Sequence, residues 1–172
     1  PGVLTVIANT FGAMMEAQAD FEGETVRDKL VQSRYSHVVG TPEAVTSYAA
    51  VTAERFGISL LQPRVNMEKS AGNKTPILGR YEAGDKVAAL DDVITDGQSK
   101  IDTIQALGAL GIDVIDYFVI VDREEGGVSQ VQEATGLTVT PAVGVSGMVK
   151  MLHEAGSLNR TQFDNVAEYM GQ

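Results

Sequence analysis

The chain contains no cysteine in its 172 residues. Disulfides, thiol catalysis and cysteine-ligated zinc are therefore excluded. Histidine is nearly absent too: His37 and His153 are the only two. They are too few for a histidine-rich metal site, and each reads as structural or solvated rather than catalytic. Positive charge is scarce, with 13 Lys and Arg against 23 Asp and Glu and a net charge of -10. Nonspecific nucleic-acid binding and docking on an anionic membrane both need a basic face, so neither is expected. No apolar run is long enough to span a bilayer. The apolar start, Pro1 to Ala8, lacks the basic flank of a signal peptide. A cytoplasmic protein is the expectation. The sequence also shows no Ser-His-Asp arrangement, no GxGxxG and no P-loop.

What is present is ordinary for a globular protein: 44% hydrophobic and 21% charged residues. The length suits a single domain over residues 1–172 with one sizeable core. Val3, Ile7, Phe11, Met14 and Met15 recur at helical spacing and predict an amphipathic helix from Val3 to Ala19. A short helix is expected around Thr25 to Val31. Beyond it, strands are read at Tyr35–Gly40, Ile58–Leu61, Lys86–Leu90, Asp113–Val121 and Leu137–Val143. An edge strand is read at Pro76–Tyr81 because of its leading proline. Helices fall between them, at Thr41–Phe56 with Gly57 as its stop, at Ser99–Leu110 and at Val128–Thr135. Two more close the chain, Ser146–Ala155 and Arg160–Met170. This alternation predicts an α/β fold, a doubly wound and mainly parallel sheet flanked by helices.

The stretch from Val87 to Ser99 carries the most chemistry. An apolar run, Val87-Ala88-Ala89-Leu90, ends in Asp91-Asp92; Val93-Ile94 and a turn, Thr95-Asp96-Gly97, follow before a helical pattern opens. That order places acids at the carboxyl end of a strand and a small-residue loop at a helix N-terminus. Backbone N–H groups and the positive end of the helix dipole make such a loop suited to phosphate. The acids beside it suit sugar hydroxyls, or a magnesium ion carried on the ligand. Because Asp91 and Asp92 are consecutive, their side chains diverge if the strand continues, and at most one reaches the ligand directly.

Asp91-Asp92-Val93-Ile94-Thr95-Asp96-Gly97-Gln98-Ser99 resembles the phosphoribosyl pyrophosphate (PRPP) motif of the type I phosphoribosyltransferases. The resemblance implies that fold. It implies that Asp91 and Asp92 serve the ribose hydroxyls and that Thr95, Asp96, Gly97, Gln98 and Ser99 wrap the 5-phosphate. Asp96 stands where a small neutral residue is common, and its plainer reading is a helix-capping carboxylate pointing away. A second segment, Asp122-Arg123-Glu124-Glu125-Gly126-Gly127, resembles one found in the orotate branch of the family. There the Arg contacts the pyrimidine, which passes the orotate-binding role to Arg123, alongside Thr95. The run Ser146-Gly147-Met148-Val149-Lys150-Met151-Leu152 also looks like that branch.

A third segment, Arg64 to Lys74, lies where orotate enzymes carry a basic loop that closes over pyrophosphate in the neighbouring subunit's site. The match gives Lys69 the catalytic role, with Lys74 and Arg64 as PRPP-binding helpers. Val65 and Asn66 stand where Arg and Lys are usual, and Ala71 where His or Tyr is usual. Glu43 likewise departs from the small residues of the family's pyrophosphate loop. The resemblance covers Tyr35 to Met170. The family carries an N-terminal hood over the base, and the resemblance implies that it is either reduced here or partly replaced by the helix from Val3 to Ala19.

Taken together, the resemblance implies an orotate phosphoribosyltransferase of pyrimidine biosynthesis, with PRPP and orotate as substrates and a homodimer as the assembly. Mg²⁺ is the implied cofactor, carried on PRPP and reaching Asp91 or Asp92 through water, with no direct protein ligand. Two alternatives stand beside it: a phosphoribosyltransferase for another base, and a non-catalytic protein that keeps the PRPP pocket as a sensor.

Overall fold

A computed structural model describes residues 2–18, 27–41, 44–64 and 76–170. Its elements run α1 (Val3–Gln18), α2 (Arg27–Arg34), β1 (His37–Gly40), α3 (Thr46–Phe56), β2 (Ser59–Pro63), β3 (Ile77–Leu78) and β4 (Lys86–Ile94). They continue with α4 (Gln98–Gly108), β5 (Asp113–Asp122), α5 (Gly127–Thr135), β6 (Val139–Gly144), α6 (Val145–Glu154) and α7 (Arg160–Tyr169). The strands form one sheet in the order β3-β2-β1-β4-β5-β6. All neighbours are parallel except the edge pair β2–β3.

The chain moves outward from β1 to β2 and β3, then returns to the other side of β1 as β4. The order therefore reverses between β1 and β4. In open α/β sheets, ligands bind outside the carboxyl ends of the strands at such a switch point. Thr41 and the acids of β4 lie at this place, and the Thr41 N–H donates to the Leu90 carbonyl at 3.0 Å.

The central strands are buried on both faces, which is why they read as continuous apolar runs. Ala88 and Leu90 of β4 face a cluster with Phe11 and Met15 of α1 and Ala49, Ala53 and Phe56 of α3. Ala89, one residue out of phase, faces Ile101 of α4 and Val131 of α5. Arg55 of α3 clamps α1 in place, donating to Asn9 Oδ1 at 2.7 Å and pairing with Glu16 at 3.0 Å.

The α/β alternation agrees with the sequence reading, while several boundaries move. Strand β4 runs on to Ile94 instead of stopping at Leu90, because Val93 and Ile94 pair with Val121 and Asp122 of β5. The acids are thus inside the strand. The stretch at Pro76–Tyr81 contains only the two-residue edge strand Ile77–Leu78. Helix α3 starts at Thr46, and Gly57 ends it in the left-handed conformation (φ 61°). In α1, Phe11 and Met15 are buried as expected, but Val3, in the first turn, is 72% exposed.

Candidate active site

The continuation of β4 separates the two acids. Asp92 is exposed, whereas Asp91 points inward and is 4% exposed. A buried carboxylate needs a partner, and Asp91 has one in Lys100 of α4, whose Nζ lies 2.5 Å from Asp91 Oδ2. Burial pushes the Asp91 carboxyl up from the usual carboxylate range, and the Lys100 ammonium opposes that shift. Asp91 Oδ1 accepts the Asp92 N–H at 2.9 Å. Tyr117, fully buried on β5, shares a 2.8 Å hydrogen bond with Thr41 Oγ1. Burial, aided by the charge of Asp91, holds the Tyr117 hydroxyl well above the ordinary tyrosine range, so it stays protonated.

The loop from Thr95 to Gly97 opens α4. Gly97 sits at the N-cap with φ 82°, a conformation that glycine adopts without strain. The first amides of a helix have no intrahelical acceptor. Here Gln98 N–H donates to Asp96 Oδ1 at 3.0 Å, and Lys100 N–H to the Gly97 carbonyl at 3.0 Å. Asp96 is thus engaged with the backbone of its own turn. Gln98 and Ser99 are exposed on the first turn, and Gln98 donates along the helix to Asp102 at 2.8 Å.

The second motif packs directly on this loop. A Cβ on Gly97 would lie 2.7 Å from the Gly127 carbonyl oxygen, and one on Gly127 would overlap the Thr95 carbonyl oxygen. Both glycines are therefore required by the close approach of two backbones. Arg123 follows β5; its N–H donates to the Ile94 carbonyl at 3.0 Å, and its guanidinium pairs with Glu125 at 2.6 Å, both side chains being nearly half exposed. Glu124 adopts φ 61° although it is not glycine. Its carboxylate accepts from the Ser146 N–H at 2.9 Å and from the Ser146 hydroxyl at 2.7 Å, which caps the start of α6.

Asp92 and Arg123 meet at one cavity of about 500 Å³, with Tyr48 of α3, Ile7 of α1, Val145 and Met148 as its apolar walls. Helix α1 thus closes one side of the cavity at which the two polar side chains converge. Arg64 lies elsewhere, at a cavity of about 340 Å³ beside Pro76 and Thr103. Lys69, Lys74, Val65, Asn66, Ala71 and Glu43 lie outside the described residues. His37 is buried and bonds through Nε2 to the Arg80 carbonyl at 2.9 Å; His153 bonds to the Leu158 carbonyl and packs on Phe163. Among the described residues, no group of three or more His, Asp or Glu could hold a metal ion. Likewise, no helix among them is long and apolar enough to cross a membrane.

Sequence reasoning missed Lys100, Tyr117, Tyr48 and the capping role of Glu124. For Lys100 a partial signal existed: it shares the stripe of Ile104 and Leu107 at helical spacing, which points to a buried position without naming its partner.

No family model matches the chain. In sequence, it is 28% identical over 151 residues to an orotate phosphoribosyltransferase of Pyrobaculum islandicum, covering 87% of this chain and 76% of that protein. It is 27% identical over 171 residues to a uridine 5'-monophosphate synthase of Caenorhabditis elegans, covering 98% of this chain and 31% of that protein. The chain is a relative of the orotate phosphoribosyltransferases. In structure it superposes on UMP synthase of Leishmania donovani with a TM-score of 0.80 at 21% identity, covering 100% of this chain and 34% of that one. The fold is that of the type I phosphoribosyltransferases. The chain spans about a third of the length of the two synthases and about three quarters of the Pyrobaculum orotate phosphoribosyltransferase.

Proposed function

We propose that the chain transfers the 5-phosphoribosyl group from PRPP to orotate, giving orotidine 5-monophosphate and pyrophosphate. The observation that carries this reading is the convergence of Asp92, in β4, and Arg123, directly after the adjacent parallel β5, on one cavity at the carboxyl edge of the sheet. The phosphate-type loop opens at the end of the same strand as Asp92.

In this reading the C1–oxygen bond to pyrophosphate breaks, the ribose ring gains positive character, and a ring nitrogen of orotate bonds to C1 while its proton is lost. The amides of Gly97 and Ser99, that of Gln98 once it leaves Asp96 Oδ1, and the positive end of α4 hold the 5-phosphate, which fixes where C1 lies. Asp92, with Asp91 behind it, binds the ribose. Arg123 exchanges its exposed partner Glu125 for the carboxylate of orotate, a bidentate match. Thr95 lines the base side. The acidic, exposed Asp92 fits contact through water with Mg²⁺ carried on PRPP; that ion supplies charge neutralisation for the departing pyrophosphate. Lys69, with Lys74 and Arg64 as helpers, adds positive charge to the same leaving group. The loop bearing Lys69 acts in the neighbouring subunit of a homodimer, and its closure excludes water that would compete as nucleophile. The cytoplasm is the compartment where a phosphorylated, membrane-impermeant substrate is available.

Loss of orotate absorbance in the presence of PRPP and Mg²⁺ tests the reading. Turnover of orotate is expected. PRPP binding without turnover would identify a sensor instead, and turnover of a purine base a different transferase. Within the active protein, Lys69→Ala is expected to lower kcat at least about tenfold, a loss of roughly 1.4 kcal/mol of transition-state stabilisation. A kcat within twofold of the parent, read in the same assay, would remove Lys69 from the mechanism.

A further inference from the structure

Lys100 is buried to the same degree as the acid it pairs with: the side chains of Lys100 and Asp91 are 7% and 5% exposed. An ammonium has three protons to donate and no lone pair. One goes to Asp91 Oδ2. Another is directed at the Ser99 hydroxyl, with Nζ 3.3 Å from Ser99 Oγ. Ser99 itself is exposed, on the first turn of α4.

We propose that Lys100 is a positioning residue for the phosphate loop, binding Asp91 from within the fold and orienting the Ser99 hydroxyl so that it donates outward to the 5-phosphate. The inference rests on the transferase reading given above. A serine within a helix ordinarily turns its hydroxyl proton back to the carbonyl three or four residues earlier. Ser99 is the second residue of α4, and the residues three and four before it, Asp96 and Thr95, precede the helix. With a lone pair taken by Lys100, the hydroxyl proton is left for an acceptor at the mouth of the site. The same ammonium offsets the negative charge of Asp91 directly behind the place where a phosphate would sit. Lys100 thus couples the ribose end of the site to its phosphate end, with no contact of its own to the ligand. Helix α4 supplies the geometry, since consecutive residues 99 and 100 place one side chain outside and the next inside.

The test is calorimetric binding of PRPP with Mg²⁺ to the full chain, joined to steady-state kinetics. Lys100→Met keeps the length of the side chain and removes its donors. Its Kd for PRPP is expected to rise at least about tenfold, with KM for orotate within about twofold of the parent, and Lys100→Arg is expected to recover part of the loss. In a Ser99→Ala background the same substitution is expected to cost much less, because the two residues act as one unit. Should Lys100→Met fail to fold by circular dichroism, the comparison is made in an Asp91→Asn background, which relieves the unpaired buried charge; there Lys100→Met is expected to weaken PRPP beyond Asp91→Asn alone. An unchanged Kd, equal losses for both substrates, or effects of Ser99→Ala and Lys100→Met that simply multiply would overturn the proposal. A parent chain that binds PRPP without turning over orotate would instead overturn the transferase reading, and the Kd comparison would still decide the role of Lys100.

Discussion

Replacing Gly127 by alanine is expected to destabilise the chain by about 3 kcal/mol and to remove PRPP binding with it. The added Cβ would overlap the Thr95 carbonyl oxygen and lie 2.8 Å from Ile94 Cγ1 and 2.9 Å from the Gly97 amide nitrogen. Two of those neighbours are backbone atoms, which cannot rotate away as a side chain can. The loop joining β4 to α4 would have to move, and with it the amides assigned to the phosphate. A fall in Tm on the order of 10 °C is expected for a chain of this size. Gly108→Ala provides the comparison, because a Cβ there meets nothing within 4 Å; it is expected to be neutral or slightly stabilising. A Gly127→Ala protein melting within about 2 °C of the parent would show that the two loops do not pack as described.

Arg123→Ala is expected to lower kcat/KM for orotate by about a hundredfold, close to 2.7 kcal/mol, while leaving KM for PRPP nearly unchanged. The backbone of Arg123 is fixed by its bond to Ile94, so the guanidinium starts from a rigid place at the cavity mouth. Its pairing with Glu125 is exposed on both sides and so contributes little. A ligand carboxylate can displace it at small cost. Arg123→Lys is expected to recover only part of the loss, since a lysine presents a point charge rather than a planar fork. A loss falling on PRPP instead would move Arg123 from the base to the phosphates. Steady-state kinetics with each substrate varied in turn separates the two.

Much of this arrangement was legible in the residues. Apolar runs alternating with amphipathic stretches pointed to the layered sheet, and Gly57 marked a helix end that the structure places in the left-handed conformation. The end of β4 was misplaced for a physical reason. Paired acids look like the start of a loop, yet Asp91 is retained inside a strand because Lys100, distant by nine positions, neutralises it. Local pattern carries no information about a partner on the next helix. Glu124 shows the same limit: nothing in its residue type announces a positive φ, which is held by its bonds to Ser146 across the sheet edge. The glycines of the second motif were legible as a signature, while their cause, contact with the first motif, needed three dimensions.

The central claim is that the turn opening α4 receives a sugar phosphate. Crystals of the chain grown with PRPP and Mg²⁺ test it most directly. The 5-phosphate is expected against the backbone amides of Gly97 to Ser99, with the ribose hydroxyls turned toward Asp92. Phosphate density away from that turn, for example at the opposite edge of the sheet beside His37 and Arg80, would contradict it.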